Sequence, residues 1–127
     1  MSQTHRLQMF REDGSMYLQD LQLANTWWSR FKGLQFRKSM PSETGLLLKP
    51  CPSVHTFWMR FPIHLIFLDS QYKVLECREN VAPWSVAIPQ VRNVKMTLEV
   101  NVGKQLPVIG ETLQIALPPQ SSADGVS

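Results

Sequence analysis

The residues best equipped for chemistry fall close together. The stretch HTFWMRFPIHLIFLD, His55 to Asp69, sets Arg60 and two histidines among apolar residues and ends on a carboxylate, and Cys51 lies just before it. Three kinds of chemistry suit these types. The Arg60 fork of donors matches a carboxylate or phosphate, and its place before Phe61-Pro62 puts it where a proline stops a sheet, at an edge or cleft mouth. Trp58 and Met59 alternate faces, so an exposed Trp58 beside Arg60 would form a subsite for a small molecule or peptide. Cys51 with His55 are weak candidates for a nucleophile and its base, since a Cys-x-x-x-His spacing arises readily by chance. Cys51, His55 and His64 also offer three metal-ligating types, but the expectation is satisfied histidines and no metal. The structural alternative for Arg60 is an internal ion pair with Asp69, Glu76 or Glu99, and Asp69 has a plain role as the first residue of a turn.

Other signatures are missing. The chain has no GxSxG elbow, Walker loop, GxGxxG turn or HExxH pair, so no cofactor is expected. TWWSRFKGLQFRK interleaves aromatic and basic residues, as single-stranded nucleic-acid binders do. Yet its rings fall on the buried face of an amphipathic helix, which removes them from stacking on bases. No strong nucleic-acid signal remains, and the partner expected is a small molecule or a peptide. The net charge is +3, with six basic residues and one acid between Asn25 and Leu68. No apolar run approaches a membrane span and no signal-like segment opens the chain, so the expectation is a cytoplasmic protein. Cys51 and Cys77 read as small apolar residues in a reducing compartment.

The elements that must position these groups are mostly strands. The 127 residues suit one domain, 1–117, with a core over 25–117 and an N-terminal hairpin over 6–24. RLQMF and SMYLQDLQLA alternate, with Asp13-Gly14 as a two-residue turn. Leu7, Met9, Met16, Leu18, Leu21 and Leu23 are the expected inward set. The step from Leu18 to Leu21 breaks the alternation and predicts a bulge near Gln19-Asp20. Asn25 or Thr26 caps a helix of about two turns, with Trp27, Trp28, Phe31 and Leu34 on one face and Gly33 at its end. GLLLKP, HTFWM, IHLIFLD, QYKVLECRE, VKMTLEVNV and ETLQIAL read as strands, and 118–127 as a disordered tail. The fold class is α+β, mainly β: a curled sheet or partly open barrel with one short aromatic helix packed against it.

The run from Trp28 to Ile115 resembles the domain-of-unknown-function 192 family, uncharacterised in bacteria and archaea. The resemblance rests on RFKGLQFR, TGLLL, PCPSVHTFWMRFPIHLIFLD, VAPW, MTLEVNVG and IGETLQI. Phe57, Met59, Arg60 and Asp69 fit the family's central pattern, and Gly33-Leu34, Gly45, Glu99, Gly103 and Gly110 fall where the pattern has them. Many members with the Arg-Phe-Pro-Ile form carry Asp where this chain has His64. The resemblance implies a compact β-rich fold with a cleft beside the central motif and supplies no activity. The functional expectation is a non-catalytic domain that binds a small anionic ligand or a peptide carboxylate through His55, Trp58, Arg60, His64 and Asp69. The alternatives are a Cys51/His55 hydrolase or transferase, and a protein-docking scaffold that uses the surface near Pro83 and Trp84.

Overall fold

A computed structural model describes residues 7–24, 40–50, 54–56 and 59–118, and for residues 54 and 55 the backbone alone. Nine strands account for its regular structure: β1 (Leu7–Phe10), β2 (Met16–Ala24), β3 (Thr44–Leu48), β4 (Val54–His55), β5 (Ile63–Leu68), β6 (Val74–Val81), β7 (Val86–Ala87), β8 (Met96–Asn101) and β9 (Gln114–Ala116). Seven form one sheet in the order β6-β5-β8-β3-β2-β1-β9, and β4 pairs with β7 as a separate ribbon. The β2–β3 pairing is parallel and the others in the large sheet are antiparallel. The chain is thus mainly β. The expected aromatic helix, with Trp27, Trp28, Phe31 and Leu34, and most of the tail over 118–127 lie outside the described residues.

The first hairpin follows the alternation, with one change. Leu7 opposes Leu21 but Met9 opposes Leu18, so the bulge falls at Gln19-Asp20, where both backbone N–H groups donate to the Glu43 carbonyl at 3.1 Å. A second irregularity sets Phe10 against Met16 and leaves Tyr17 as the extra residue. The sequence places Met16 inward, but the bulge shifts the register there. Tyr17 is buried instead and Met16 is 41% exposed. The Asp13-Gly14 turn is also longer than two residues. The strands stop at Phe10 and resume at Met16, with Gly14 at φ +90° and the Asp13 carboxylate accepting the Ser15 N–H at 2.9 Å.

Every residue of β5 is buried, because the sheet carries a core on each face. On the inner face Ile66 and Leu68 join Met9, Leu18, Leu21, Leu47, Leu98 and Leu113. On the outer face Ile63, Leu65 and Phe67 join Leu46, Leu48, Met40, Met59 and Ala87. Gly45 keeps this packing close, since a Cβ there would sit 2.5 Å from a methyl of Leu18.

The sheet curls until its two ends meet. The Val74 N–H donates to the Glu111 carbonyl at 2.9 Å, the Gly110 N–H to the Val74 carbonyl at 2.8 Å, and the Leu113 N–H to the Tyr72 carbonyl at 3.0 Å. These bonds join the start of β6 to the segment before β9 and shield part of the β6 edge. One carboxylate fixes the segment before β9 to the end of β1. Glu111 accepts both Arg11 donors, Nη2 at 2.8 Å and Nε at 3.3 Å, and the backbone N–H groups of Glu12 at 3.2 Å and Val108 at 2.7 Å. The Arg11 hydrogen bond keeps the Glu111 carboxyl below its usual range. A carboxylate lowered in the folded state adds stability above its ordinary pKa and loses that contribution as pH falls through the folded value. Glu111→Gln should therefore cost about 1 kcal/mol at neutral pH. In thermal melts the gap from the parent protein should close as pH falls below about 4. An equal gap at every pH would remove the carboxylate charge from the account.

Candidate functional site

The site grows from Thr56, whose relative exposure is 0%. A buried hydroxyl and its backbone must find partners, and Thr56 finds most of them in the turn before β7. Its Oγ1 donates to the Ala82 carbonyl at 2.7 Å and accepts the Ser85 N–H at 2.8 Å. Its N–H donates to the Ser85 carbonyl at 2.7 Å. Its own carbonyl accepts the N–H groups of Trp84 at 2.9 Å and Met59 at 3.3 Å. One residue thus ties the arm leading to Arg60 to the turn that carries Trp84.

The two arms present different surfaces. Arg60 is exposed at the bend before β5, and it forms no ion pair among the described residues. Each acid proposed to pair with it is engaged elsewhere. Glu76 pairs with Arg78 at 2.6 Å, Glu99 is buried in β8 with another contact, and Asp69 Oδ1 accepts the N–H groups of Gln71 at 2.8 Å and Lys73 at 3.0 Å. Asp69 therefore fills its turn role in the β5–β6 hairpin. On the second arm Trp84 takes the left-handed conformation, φ +63°, and is 58% exposed. Val86 and Ile88 continue that apolar surface. The Glu76–Arg78 pair anchors this arm from below, as Arg78 Nη2 donates to the Ile88 carbonyl at 2.6 Å and the Gln90 N–H donates to Glu76 at 2.7 Å.

The two histidines lie on different strands. The His55 backbone opposes Val86 in the β4–β7 ribbon. His64 is buried in β5, and alternation places it on the inner face with Ile66 and Leu68. There Nδ1 accepts the Asn80 N–H at 3.1 Å. An accepting Nδ1 places the ring proton on Nε2. Asn80 sits at φ +51° in the β6 bulge opposite His64, so the imidazole secures that irregularity. Cys51, Trp58 and the His55 side chain lie outside the described residues.

The second cysteine is held as the neutral thiol. Burial, then the carboxylates of Glu79, Glu76 and Glu111, push the Cys77 thiol up to about 11, so it stays protonated at neutral pH. No cluster of three metal-ligating side chains occurs among the described residues, and no helix there is long and apolar enough to cross a membrane.

Thr56 carried no signal in the sequence, because nothing in VHTF marks a threonine whose partners lie at 82–85. Asn80 carried a weak one, since Asn tolerates positive φ. Replacing Thr56 by Val keeps the shape and removes the hydroxyl, which strands the Ser85 N–H and the Ala82 carbonyl. The expected loss is about 1–3 kcal/mol in urea unfolding, with amide exchange speeding at Ser85. Unchanged stability and exchange would show that the hydroxyl does not hold the corner.

Comparison with known proteins agrees with this architecture. A UPF0127 protein of Thermococcus sibiricus is 31% identical over 98 residues, 71% of this chain and 60% of that protein. A UPF0127 protein of Pyrococcus horikoshii is 31% identical over 80 residues, 58% of this chain and 65% of that protein. The chain therefore spans less than two thirds of the length of either relative. Among solved structures, a Sinorhizobium meliloti 1021 protein described as a candidate transcription regulator superposes with a TM-score of 0.67 at 25% identity, covering 87% of this chain and 92% of that one. A Novosphingobium aromaticivorans protein of unknown function gives a TM-score of 0.67 at 20% identity, over 86% of this chain and 83% of that one, and shows the same fold. Residues 9–107 match the DUF192 family, described as an uncharacterized ACR, and the chain belongs to that family.

Proposed function

We propose that this domain is a non-catalytic binding module that takes a small anionic ligand or a peptide carboxylate beside the His55–Asp69 motif. The observation that carries the reading is Arg60, exposed and without an ion pair among the described residues. An internal pair would have spent its charge. An exposed guanidinium instead offers a planar fork that a carboxylate can accept in bidentate fashion. The Thr56 corner holds the neighbouring arm in place, which lowers the ordering cost of binding. His55 and Trp58 would complete the cleft. His64 and Asp69 support it from within the fold, one at the β5–β6 bulge and the other at the β5–β6 turn.

A second reading rests on a different observation. Trp84, Val86 and Ile88 are each more than half exposed on one short segment, which suits a surface docked on another protein. The description of the Sinorhizobium protein also makes oligonucleotides a necessary arm of any ligand panel.

Thermal melts against carboxylates, phosphates, peptides, nucleotides, oligonucleotides and metals test the first reading. A ligand at a hundred times its dissociation constant should add about 2.7 kcal/mol to stability. Arg60→Ala should abolish the shift while leaving the unliganded stability within about 0.5 kcal/mol of the parent, because its side chain is a solvent-facing one. A shift that survives in Arg60→Ala would overturn the assignment. No shift from any class would favour the docking surface, to be checked by whether a bound protein is lost in Trp84→Ser.

A further inference from the structure

The chain between β6 and β8 carries its alternation the wrong way out. Ala87 and Val94 are buried in the outer core. Trp84, Val86 and Ile88, two apart around β7, are 58%, 60% and 65% exposed, and Val91 beyond them is exposed as well. A segment that only covers a core sets polar side chains on its outward side. From this strip we infer an interfacial docking surface for a bilayer that carries anionic lipids. It rests on the exposed segment of the second reading above, with lipid in place of a protein, and needs no ligand at Arg60.

The backbone holds the apolar side chains outward. Trp84 sits at φ +63°, a region that bulky residues rarely adopt, and its N–H is fixed on the Thr56 carbonyl at 2.9 Å. The Ile88 carbonyl accepts Arg78 Nη2 at 2.6 Å, and the Gln90 N–H donates to Glu76 at 2.7 Å. These bonds keep the strip from folding back onto the core. Residues that line a groove shade one another, whereas Trp84, Val86 and Ile88 each keep more than half of their surface in solvent, so they project. A protein partner would have to bring the groove. The headgroup region of a bilayer yields to projecting side chains, and Trp concentrates there, with its ring toward the acyl chains and its N–H toward water.

Charge selects the kind of bilayer. From Val81 to Leu98 the chain has no acid, and its two basic residues, Arg92 and Lys95, are both exposed. Neither forms an ion pair among the described residues. Arg60 adds a third cation at the Trp84 end, because the Thr56 carbonyl also accepts the N–H of Met59, its neighbour. The acids of β6 leave this side positive. Glu76 is paired with Arg78, and Glu79 shares a face with Cys77, which packs against the inner core. Asp69, at the Lys95 end, has its Oδ1 held by the N–H groups of Gln71 and Lys73. Attraction to a charged surface reaches about 8 Å in physiological salt, so it calls for exposed charge on the docking side and not for an aimed contact.

The test is co-sedimentation of the full chain with vesicles of phosphatidylcholine alone and of phosphatidylcholine with an equal part of phosphatidylglycerol. The expected result is binding to the mixed vesicles that weakens as salt rises, with little binding to phosphatidylcholine. Trp84→Asn, which keeps a residue tolerant of positive φ, and Ile88→Ser should each weaken binding about tenfold. Arg92→Gln should weaken it about fivefold. Val108→Ser removes an equally exposed aliphatic from the segment before β9 and should leave binding unchanged. Thermal melts of the four variants confirm that each is folded, and Ile88→Ser carries the test if Trp84→Asn is not. Absence of binding to mixed vesicles, binding that survives in Ile88→Ser, or an equal loss in Val108→Ser would overturn the proposal. A protein bound through Trp84 while vesicles are ignored would also overturn it and leave the second reading standing.

Discussion

Burial of β5 on both faces is the constraint from which the rest follows. A strand with no solvent-facing side must be apolar along its length or satisfy every exception internally. Ile63, Leu65 and Phe67 serve one core and Ile66 and Leu68 the other. The exception is His64, and the bulge in β6 supplies its partner. The resemblance leads one to expect Asp at that position in many relatives. Both an Asp carboxylate and the Nδ1 of a neutral imidazole are acceptors, so the exchange keeps the polarity of the bond to Asn80.

Two cores require two covers. The inner one is covered by curling the sheet until β6 meets the segment before β9, with the Tyr17 hydroxyl donating to the Gln105 carbonyl at 2.7 Å across the opening. Burial raises the pKa of that phenol, so it remains a donor. The outer core is covered in part by the excursion between β6 and β8, which Thr56, Glu76 and Arg78 hold down through backbone groups. A strand so enclosed leaves no room for a ligand along its length. Exposed charge lies instead at its ends, with Arg60 before it and Lys95 beyond it.

Much of this was legible in the sequence where the signal was local. Alternation gave the strands, and the Leu18-to-Leu21 break gave the bulge at Gln19-Asp20. Asp69-Ser70-Gln71 announced the turn between β5 and β6. Alternation failed at Met16, because a second bulge reversed the faces at Tyr17, and nothing nearby in the sequence marks it. The hairpin over 6–24, read as an addition to a core starting at Asn25, contributes two strands inside the main sheet. The exposure of Arg60 was legible, because charge before Phe-Pro implies an edge. The burial of His64 and its bond to Asn80 were not legible, since a buried histidine with one acceptor bond reads like a ligand-facing one. Thr56 could not be found at all, because its partners are set by tertiary contacts tens of residues away.

The seam that joins residues 72–74 to 110–113 also bears on how the chain reaches this state. β1 lies between β2 and β9, and Gln8 pairs with Ala116 across almost the whole sequence. Such pairings cost loop-closure entropy before they return any contact energy, and they slow folding relative to domains built from local contacts. During synthesis β1 and β2 emerge first, and the strand that completes the β1 edge emerges last. Until then one side of β1 and the start of β6 present unpaired backbone groups beside an apolar face. The interval before β9 docks is thus when nascent chains are most prone to pair with one another, and the Arg11–Glu111 contact forms only when that interval closes.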